Sequence, residues 1–216
     1  MNLNDLLFWN VDTQIDFVSP RGKLYVPGAE LLKPKWRKIT QFAEENSIRV
    51  INTADYHYPD SCELSSAPNF VDTFPPHCMA NTSGAEYIAE TNPENPIIFS
   101  WDKNYQNFTE LIEVENYRNI VIRKDAFDVF KGNRLTDSIV KYLVPKIVVV
   151  YGVTTNVCVN DAVVGLLGRV ADVFVIEDAI KELPNIPLPF ENWKKLGVRI
   201  IQLNDLKNLL KTSTEN

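Results

Sequence analysis

The sequence predicts an α/β fold of three layers, in which helices cover both faces of a mainly parallel central sheet. Short apolar runs alternate with longer segments of helical spacing along the chain of 216 residues, as in folds built from successive strand–helix units. The apolar runs are nearly continuous and do not alternate with polar residues, which is typical of parallel strands buried on both faces. We expect a single domain over residues 1–216, because no Gly/Ser-rich or Pro-rich linker divides the chain.

The N-terminal half of the chain contains two predicted strands, a helix between them and a long loop. The apolar run at residues 6–11 predicts the first strand, and the run at 48–53 predicts the second. Residues 29–45 are predicted as a helix because apolar side chains recur there at spacings near three and four. Pro34 weakens the first turn of this helix. Residues 54–80 are rich in Pro, Asp and Ser, and a loop of that length is usually functional or disordered.

In the rest of the chain, strands and helices alternate. Apolar runs predict strands at residues 97–101, 119–124, 146–151, 172–176 and 198–202. Periodic segments predict helices at residues 84–90, 134–143, 156–169, 193–196 and 205–211. Ligands of such folds bind at the carboxyl ends of the strands. The polar residues near those ends should therefore converge on one edge of the sheet: Asp12, Asp55, Lys124 and the turn before Cys158.

Composition and charge argue against several classes of function. The 28 acidic and 22 basic residues give a formal net charge of −6, so nucleic-acid binding has no electrostatic support. No apolar run approaches the roughly 18 residues that span a bilayer, and the N-terminus lacks the basic region of a secretory signal. The cysteines Cys62, Cys78 and Cys158 form no C-x-x-C pair, which favours a reducing compartment. We expect a cytoplasmic protein without nucleic-acid or membrane partners, and a homo-oligomer is left open.

Cys158 is the first candidate for a nucleophile. It follows a buried strand pattern and a turn of small residues, at the start of a helical stretch. The positive end of the helix dipole is expected to lower the pKa of a thiol there below about 8.5, and free backbone N–H groups could hold an oxyanion. The alternative is that Cys158 is a buried core residue, as free cysteines often are.

A thiol nucleophile also needs a proton acceptor and a charge partner. Asp12 and Lys124 lie at predicted strand ends, where a carboxylate could exchange the proton and an ammonium could favour the thiolate. His57 or His77 could instead be the acceptor. Each of the charged residues could also be an ordinary solvated side chain or a cap.

The long loop contains a second group of candidate residues. Four of them could form a mixed nitrogen and oxygen site for zinc, iron or manganese: Asp55, His57, Glu63 and His77. The first two are separated by one residue, so they face the same way in an extended segment. Cys62 and Cys78 adjoin this set and could replace one of the ligands. The alternative is a polar loop with two surface histidines.

Two aromatic residues are candidates for contact with a substrate. Phe17 and Phe74 lie near the two groups in the sequence and could form a flat apolar wall beside them. The alternative is that both are ordinary core residues.

These motifs occur together in the isochorismatase-like superfamily of cysteine hydrolases, which the chain resembles. Residues 11–17, Val-Asp-Thr-Gln-Ile-Asp-Phe, are similar to the opening motif of that family, and residues 151–159 are similar to its cysteine-bearing segment. Lys124 resembles its catalytic lysine. The resemblance implies that Cys158 attacks an amide carbon, that Asp12 transfers the proton and that Lys124 holds their charge.

The same resemblance implies an unusual turn before the cysteine. Family members have a cis peptide there, which corresponds to the bond between Val153 and Thr154. The backbone N–H groups of Thr154 and Cys158 would then stabilise the oxyanion of the tetrahedral intermediate.

Within the superfamily, the long loop resembles that of the nicotinamidases. Their metal ligands lie in an Asp-x-His motif, at a third position further along the loop and in a Pro-Pro-His-Cys-like segment, which correspond to Asp55, His57, Glu63 and His77. Glu63 stands where histidine is most frequent, and the segment 125–130 is shorter than in many nicotinamidases. The resemblance implies one divalent metal ion per chain, which is zinc, or else iron or manganese, and which binds the pyridine nitrogen and orients the ring.

The activity that the resemblance implies is hydrolysis of a small-molecule amide, nicotinamide, to nicotinate and ammonia through a cysteine thioester. Such an enzyme would act in NAD salvage. The alternatives are another amidase or an isochorismatase-type hydrolase on the same scaffold, or a catalytically silent member that binds a metal or a partner.

Overall fold

A seven-stranded sheet forms the centre of the computed structural model, which describes residues 5–105 and 112–211. The strands are β1 (Leu6–Val11), β2 (Arg49–Asp55), β3 (Ile97–Ser100), β4 (Asn119–Lys124), β5 (Ile147–Val153), β6 (Asp172–Lys181) and β7 (Arg199–Ile201). Their order across the sheet is β3-β4-β2-β1-β5-β6-β7, and every pair of neighbours is parallel. The prediction of a parallel sheet is confirmed.

Helices cover both faces of the sheet. They are α1 (Ile15–Val18), α2 (Lys33–Glu45), α3 (Val129–Gly132), α4 (Thr136–Leu143), α5 (Cys158–Leu166), α6 (Phe190–Lys195) and α7 (Leu206–Lys211). Residues of α3 to α6 pack into the core on one face, and residues of α1, α2 and α7 pack into the core on the other. The predicted three-layer arrangement is therefore confirmed.

The central strand β1 shows why the strand sequences are mostly apolar. All of its residues are buried, and successive side chains of a strand point to opposite faces. Leu7, Trp9 and Val11 belong to one core, whereas Leu6 and Phe8 belong to the other. A polar residue on such a strand is buried and needs a partner, so the strand lacks the regular alternation of half-exposed strands. The polar residue of β1, Asn10, is paired in this way, because its side chain donates to Asn52 Oδ1 at 3.0 Å.

Most predicted elements appear within a few residues of their predicted bounds, and two of them differ at one end. The helix predicted from residue 29 begins as a 3₁₀ turn, Ala29–Leu32, and becomes α-helical at Lys33. Pro34 lies in the first turn of α2, where its missing N–H leaves no bond unmade. The strand predicted to end at residue 176 continues to Lys181.

The helix predicted for residues 84–90 is wrong. Only a short 3₁₀ turn, Ser83–Ala85, is present there. The Ile15 N–H donates to the Glu86 carbonyl at 2.8 Å, and the Ile88 N–H donates to the Thr13 carbonyl at 3.1 Å. These bonds to the segment after β1 hold the chain extended, so tertiary pairing overrides the local helical pattern. The short helices α1 and α3 were not predicted.

The strand order brings the candidate residues to one edge of the sheet. Asp55 and Lys124 are paired in register at the ends of β2 and β4, and Val11, which precedes Asp12, is paired with Gly152 of β5. None of the helices in the described part of the chain has the length and apolar character needed to cross a bilayer.

Candidate active site

Asp12, Lys124 and Cys158 meet at the carboxyl ends of β1, β4 and β5. The Lys124 Nζ atom lies 3.0 Å from Asp12 Oδ2 and 3.8 Å from Cys158 Sγ. Asp12 and Lys124 are fully buried, and Cys158 is 6% exposed. The structure therefore brings together the three residues that the sequence proposed as nucleophile, proton acceptor and cation.

Asp12 is held in a conformation that directs its carboxylate toward Lys124. Its φ of 47° lies in the left-handed region, which asparagine and aspartate adopt more readily than other side chains with a Cβ. The Thr53 hydroxyl donates to Asp12 Oδ1 at 2.6 Å. Burial raises the pKa of Asp12 to about 6, although Lys124 acts in the opposite direction. A carboxyl group with such a pKa can both accept and return a proton near neutral pH.

The environment of Lys124 keeps its side chain charged. Burial by itself would lower the pKa of Lys124, but the carboxylates of Asp12 and Asp55 outweigh it and raise the pKa well above its usual value. Lys124 Nζ also forms an ion pair with Asp55 Oδ1. The ammonium group is therefore shared between the two carboxylates and the thiol.

The expectation of a lowered thiol pKa at Cys158 is wrong. Burial raises the pKa of the Cys158 thiol well above its usual value, and Lys124 only partly opposes this effect because Asp12 and Asp55 also raise it. The position at the start of α5 was predicted correctly, but the strength of burial depends on packing. A thiol in this state keeps its proton until a neighbouring base removes it.

The turn before Cys158 contains a cis peptide bond and a glycine with a positive φ. The peptide bond between Val153 and Thr154 is cis, as the resemblance implies. Gly152 has a φ of +121°, and a Cβ atom at this position would lie 2.1 Å from the Val11 carbonyl oxygen, so only glycine fits. The N–H of Cys158 belongs to the first turn of α5, where N–H groups have no partner within the helix.

A second buried cluster lies next to these three residues. Asp55, His57, Glu63 and His77 each offer one ligand atom, and these four atoms all lie within 4.8 Å of one another. His57 Nε2 lies 2.9 Å from Glu63 Oε1, and His77 Nε2 lies 3.4 Å from Asp55 Oδ2. The structure thus brings together all four metal ligands proposed from the sequence.

The residues of the cluster fit a divalent metal ion. Ligand atoms bound tetrahedrally at about 2.0–2.2 Å would lie roughly 3.3–3.6 Å apart. Although His57 Nε2 is close to Glu63, it is buried and has no properly directed hydrogen bond among the described residues, and a cation at the centre would satisfy it. Burial would lower the pKa of His57, but Asp55 and Glu63 raise it to about 10. The carboxylates therefore already attract positive charge to this position.

Residues outside the cluster orient its ligands. His57 Nδ1 lies 3.3 Å from Asp125 Oδ1, and His77 Nδ1 lies 2.8 Å from the Pro75 carbonyl oxygen, so both Nε2 atoms are left free to face the cluster. The Ser61 hydroxyl donates to the same Asp125 oxygen. Neither Asp125 nor Ser61 is among the candidate residues predicted from the sequence. Asp125 directly follows Lys124 at a strand end, and this position was the one signal that could have identified it.

The opening motif holds the ligand loop in place. The Gln14 side chain donates to the Asp55 carbonyl at 2.8 Å and accepts from the Asp55 N–H at 2.8 Å. Asp16 Oδ2 accepts from the Cys78 N–H at 2.8 Å, directly after His77. Gln14 and Asp16, which have no proposed role in the chemistry, therefore position the ligands Asp55 and His77.

The other candidates from the sequence, two cysteines and two phenylalanines, lie around the ligand cluster and are not part of it. Cys62 is exposed and Cys78 is buried, with the Cys78 thiol 3.8 Å from the Gly84 carbonyl oxygen. Neither of them belongs to the ligand cluster found in the described part of the chain. Phe17 and Phe74 both pack against His77, with ring centroids 5.3 and 6.3 Å away. The two rings border a small cavity that is also lined by Cys158, Thr154 and Asp55.

Comparison with known proteins identifies the family to which the chain is similar. A model of the isochorismatase domain matches residues 6–186. A nicotinamidase/pyrazinamidase from Mycobacterium tuberculosis (strain ATCC 25618 / H37Rv) is 33% identical over 79 residues, which span 36% of this chain and 40% of that protein.

Two solved structures show the same fold at low sequence identity. Pyrazinamidase of Pyrococcus horikoshii in complex with zinc has a TM-score of 0.69 and 24% identity, and the match covers 92% of this chain and 99% of that one. N-carbamoylsarcosine amidase from Thermoplasma acidophilum has a TM-score of 0.69 and 21% identity, with 92% and 96% covered. Because the family model spans most of the chain and the fold agrees with it, this protein belongs to the isochorismatase family of hydrolases.

Proposed function

We propose that the protein is a metal-containing cysteine amidohydrolase that converts nicotinamide and water to nicotinate and ammonia. The observation that carries this proposal is the contact between two buried groups: the Asp12, Lys124 and Cys158 trio and the four-residue ligand cluster. Asp55 belongs to both, because Oδ1 pairs with Lys124 Nζ while Oδ2 faces His77 at 3.4 Å. A thiol nucleophile and a site that can bind a ring nitrogen therefore lie side by side.

In the first half-reaction, Asp12 removes the proton from the Cys158 thiol as the sulfur attacks the amide carbon. A C–S bond forms, and the electron pair of the carbonyl double bond moves to the oxygen. The N–H groups of Thr154 and Cys158 donate to this oxyanion, and a single such donor typically contributes about 3–4 kcal/mol to transition-state stabilisation. When the intermediate collapses, the C–N bond breaks, and the proton held on Asp12 passes to the nitrogen, which leaves as ammonia.

In the second half-reaction, water cleaves the thioester. The water oxygen attacks the acyl carbon while Asp12 accepts a proton from that water. The N–H groups of Thr154 and Cys158 hold the second oxyanion. Collapse breaks the C–S bond, and Asp12 returns its proton to the sulfur. The product leaves as nicotinic acid, which loses its carboxyl proton to water to give nicotinate. Throughout the cycle, Lys124 balances the charge that moves between Asp12 and Cys158.

Asp55, His57, Glu63 and His77 are the residues that would hold a divalent metal ion. Zinc suits two imidazoles and two carboxylates, and iron or manganese also accept this mixed set. When bound there, the ion would supply an open coordination position for the pyridine nitrogen. Phe17 and Phe74 would pack on the ring, so the chain would fix the orientation of the carboxamide relative to Cys158.

The test is ammonia release from nicotinamide, pyrazinamide, benzamide and a small aliphatic amide, with and without a chelator. We expect turnover of the two ring-nitrogen substrates and loss of turnover after chelation. Benzamide, which has the same shape but no ring nitrogen, should react far more slowly. Cys158→Ala should lower kcat by about 10⁴-fold or more, whereas Cys62→Ser should keep full activity because Cys62 is exposed and outside the site.

A different amidase on the same scaffold is the second candidate. It is favoured by the fold shared with N-carbamoylsarcosine amidase. Preference for the aliphatic amide, with no effect of chelator, would support it over the nicotinamidase proposal. A protein that hydrolyses no amide and keeps an unreactive Cys158 would instead be a catalytically silent metal-binding or partner-binding member.

A further inference from the structure

A large pocket lies outside the small cavity at Cys158. The inner cavity has a volume of about 10 Å³, which is room for about one water molecule, whereas the outer pocket has a volume of about 770 Å³. Four residues line both spaces: Leu24, Phe127, Val157 and Leu183. The two spaces therefore meet at an apolar neck.

The outer pocket has ordered walls on two sides. On one side, Asn69 Oδ1 accepts from the N–H groups of Val71 and Thr73 at 2.9 and 3.0 Å. On the other side, the Asn156 side chain donates to the carbonyls of Leu183 and Ile186 at 2.8 and 2.9 Å. An asparagine side chain thus holds each loop: Asn69 from within its own loop, and Asn156 from the turn before α5.

The lining of the outer pocket is mostly apolar and includes unusually exposed side chains. Phe70 is 50% exposed and Val71 is 70% exposed, and both face this space together with Ile186 and two prolines of the opposite loop. Pockets for small ligands typically have volumes of about 300–1,000 Å³ and predominantly apolar walls. A nicotinamide molecule that reached Cys158 would leave most of this pocket unfilled.

The neck lies on the side of the site where the ring of the substrate would rest. The Phe127 N–H donates to Glu63 Oε2 at 2.7 Å, and the Phe127 and Phe74 ring centroids are 6.4 Å apart. The outer pocket therefore opens toward the acyl side of a bound substrate, next to the ligand cluster.

We propose that the outer pocket is a subsite for an apolar group on the acyl side of the amide, so that the substrates include aryl carboxamides with an alkyl or aryl substituent. This inference rests on the proposed amidase function. Each methylene group that enters the pocket should raise kcat/KM by about four-fold, as expected for burial of that much apolar surface.

The test compares nicotinamide with two series of derivatives, which carry methyl, ethyl or propyl groups at ring carbon 4 or ring carbon 5. At least one series should show kcat/KM rising with chain length. In Phe70→Asn, the ratio of kcat/KM for the propyl derivative to that for nicotinamide should fall several-fold. Asparagine tolerates the φ of 57° at this position. Leu196→Ser is the matched control, because Leu196 is 47% exposed and lies at the end of α6, and its ratio should equal that of the wild type.

The outcomes separate the subsite from the function. If the alkyl substituents leave kcat/KM unchanged or lower it in both series of derivatives, the subsite is refuted while hydrolysis of nicotinamide stands. If no amide is hydrolysed, the proposed function fails, and calorimetry of the same derivatives with Cys158→Ala shows whether affinity rises with chain length. A dimer that dissociates in Phe70→Asn, with an unchanged propyl ratio, would assign the pocket to self-association and overturn the proposal.

Discussion

Asp55 connects the two halves of the site at the level of single atoms. Its Oδ1 pairs with Lys124 Nζ, and its Oδ2 lies 3.8 Å from His57 Nε2 and 3.4 Å from His77 Nε2. Burial would raise the pKa of Asp55, but Lys124, His57 and His77 hold it well below its usual value. The carboxylate therefore stays ionised between the Lys124 ammonium group and the two imidazoles, and substitution of Asp55 should impair both metal binding and the catalytic trio.

The ionisation of Asp12 should set the acid side of the pH profile. Burial raises its pKa to about 6, and a base must be ionised to accept the thiol proton. We therefore predict that kcat/KM falls about ten-fold per pH unit below pH 6. Metal content is to be measured at each pH, because ligand protonation also releases metal. A profile that stays flat to pH 5 with the metal retained would refute this role of Asp12.

Asp125 is predicted to act as a positioning residue for His57. Because its carboxylate contacts His57 Nδ1, it should fix the tautomer that leaves Nε2 free for the metal. Loss of such an outer contact typically costs 10- to 100-fold in metal affinity, so Asp125→Asn should raise the zinc dissociation constant by about that factor in a competition titration with a chelator. Asp60→Asn is the control, since Asp60 is exposed in the loop that contains His57. Equal affinities of both variants would contradict the prediction.

At the level of elements, the close approach of β1 and β5 depends on Gly152. An added Cβ would lie 2.1 Å from the Val11 carbonyl oxygen, and this contact can be relieved only by moving a central strand. Gly152→Ala should therefore lower the free energy of unfolding by about 3 kcal/mol or more, measured by urea denaturation.

Gly168→Ala provides the matched control for this substitution. Gly168 also has a positive φ, of +81°, but nothing lies within 4 Å of an added Cβ. Gly168→Ala should therefore lower the free energy of unfolding by only about 1–2 kcal/mol, which is the cost of a residue with a Cβ in the left-handed region. Similar losses for the two variants would show that backbone conformation, and not the approach of β1 to β5, determines the stability at Gly152.

At the level of the whole molecule, the site concentrates negative charge in the interior. The carboxylates of Asp12, Asp55 and Glu63 are all buried, as is Lys124, and a buried charge without a partner is costly. A divalent ion at the ligand cluster would offset this imbalance. Binding to the folded state alone should therefore stabilise the protein, by about 2.7 kcal/mol at a free metal concentration of 100 times Kd.

This stabilisation is testable by thermal unfolding. Addition of zinc to chelator-treated protein should raise Tm, and the shift should be absent in His77→Ala. Cys158→Ala should keep the shift, because the thiol is not among the four ligands. A shift that persists in His77→Ala would place the stabilising metal elsewhere on the protein.

The sequence by itself determined the layer arrangement and the identity of the candidate residues. Nearly continuous apolar runs such as Leu6–Val11 are typical of strands buried between two layers, and the carboxyl ends of parallel strands share one edge of the sheet. Asp12, Lys124 and Cys158 could therefore be grouped before any distance was known.

Tertiary structure alone decided features that depend on contacts between distant segments. The thiol pKa of Cys158 is raised because packing removes it from water, and its local position at the start of a helix gives no measure of that burial. Residues 84–90 are not helical because Gln14 and Tyr87 pair across the fold. Asp125 reaches His57 because β2 and β4 lie side by side in register. Local patterns specify each element, but burial, charge balance and orientation arise only when the elements pack together.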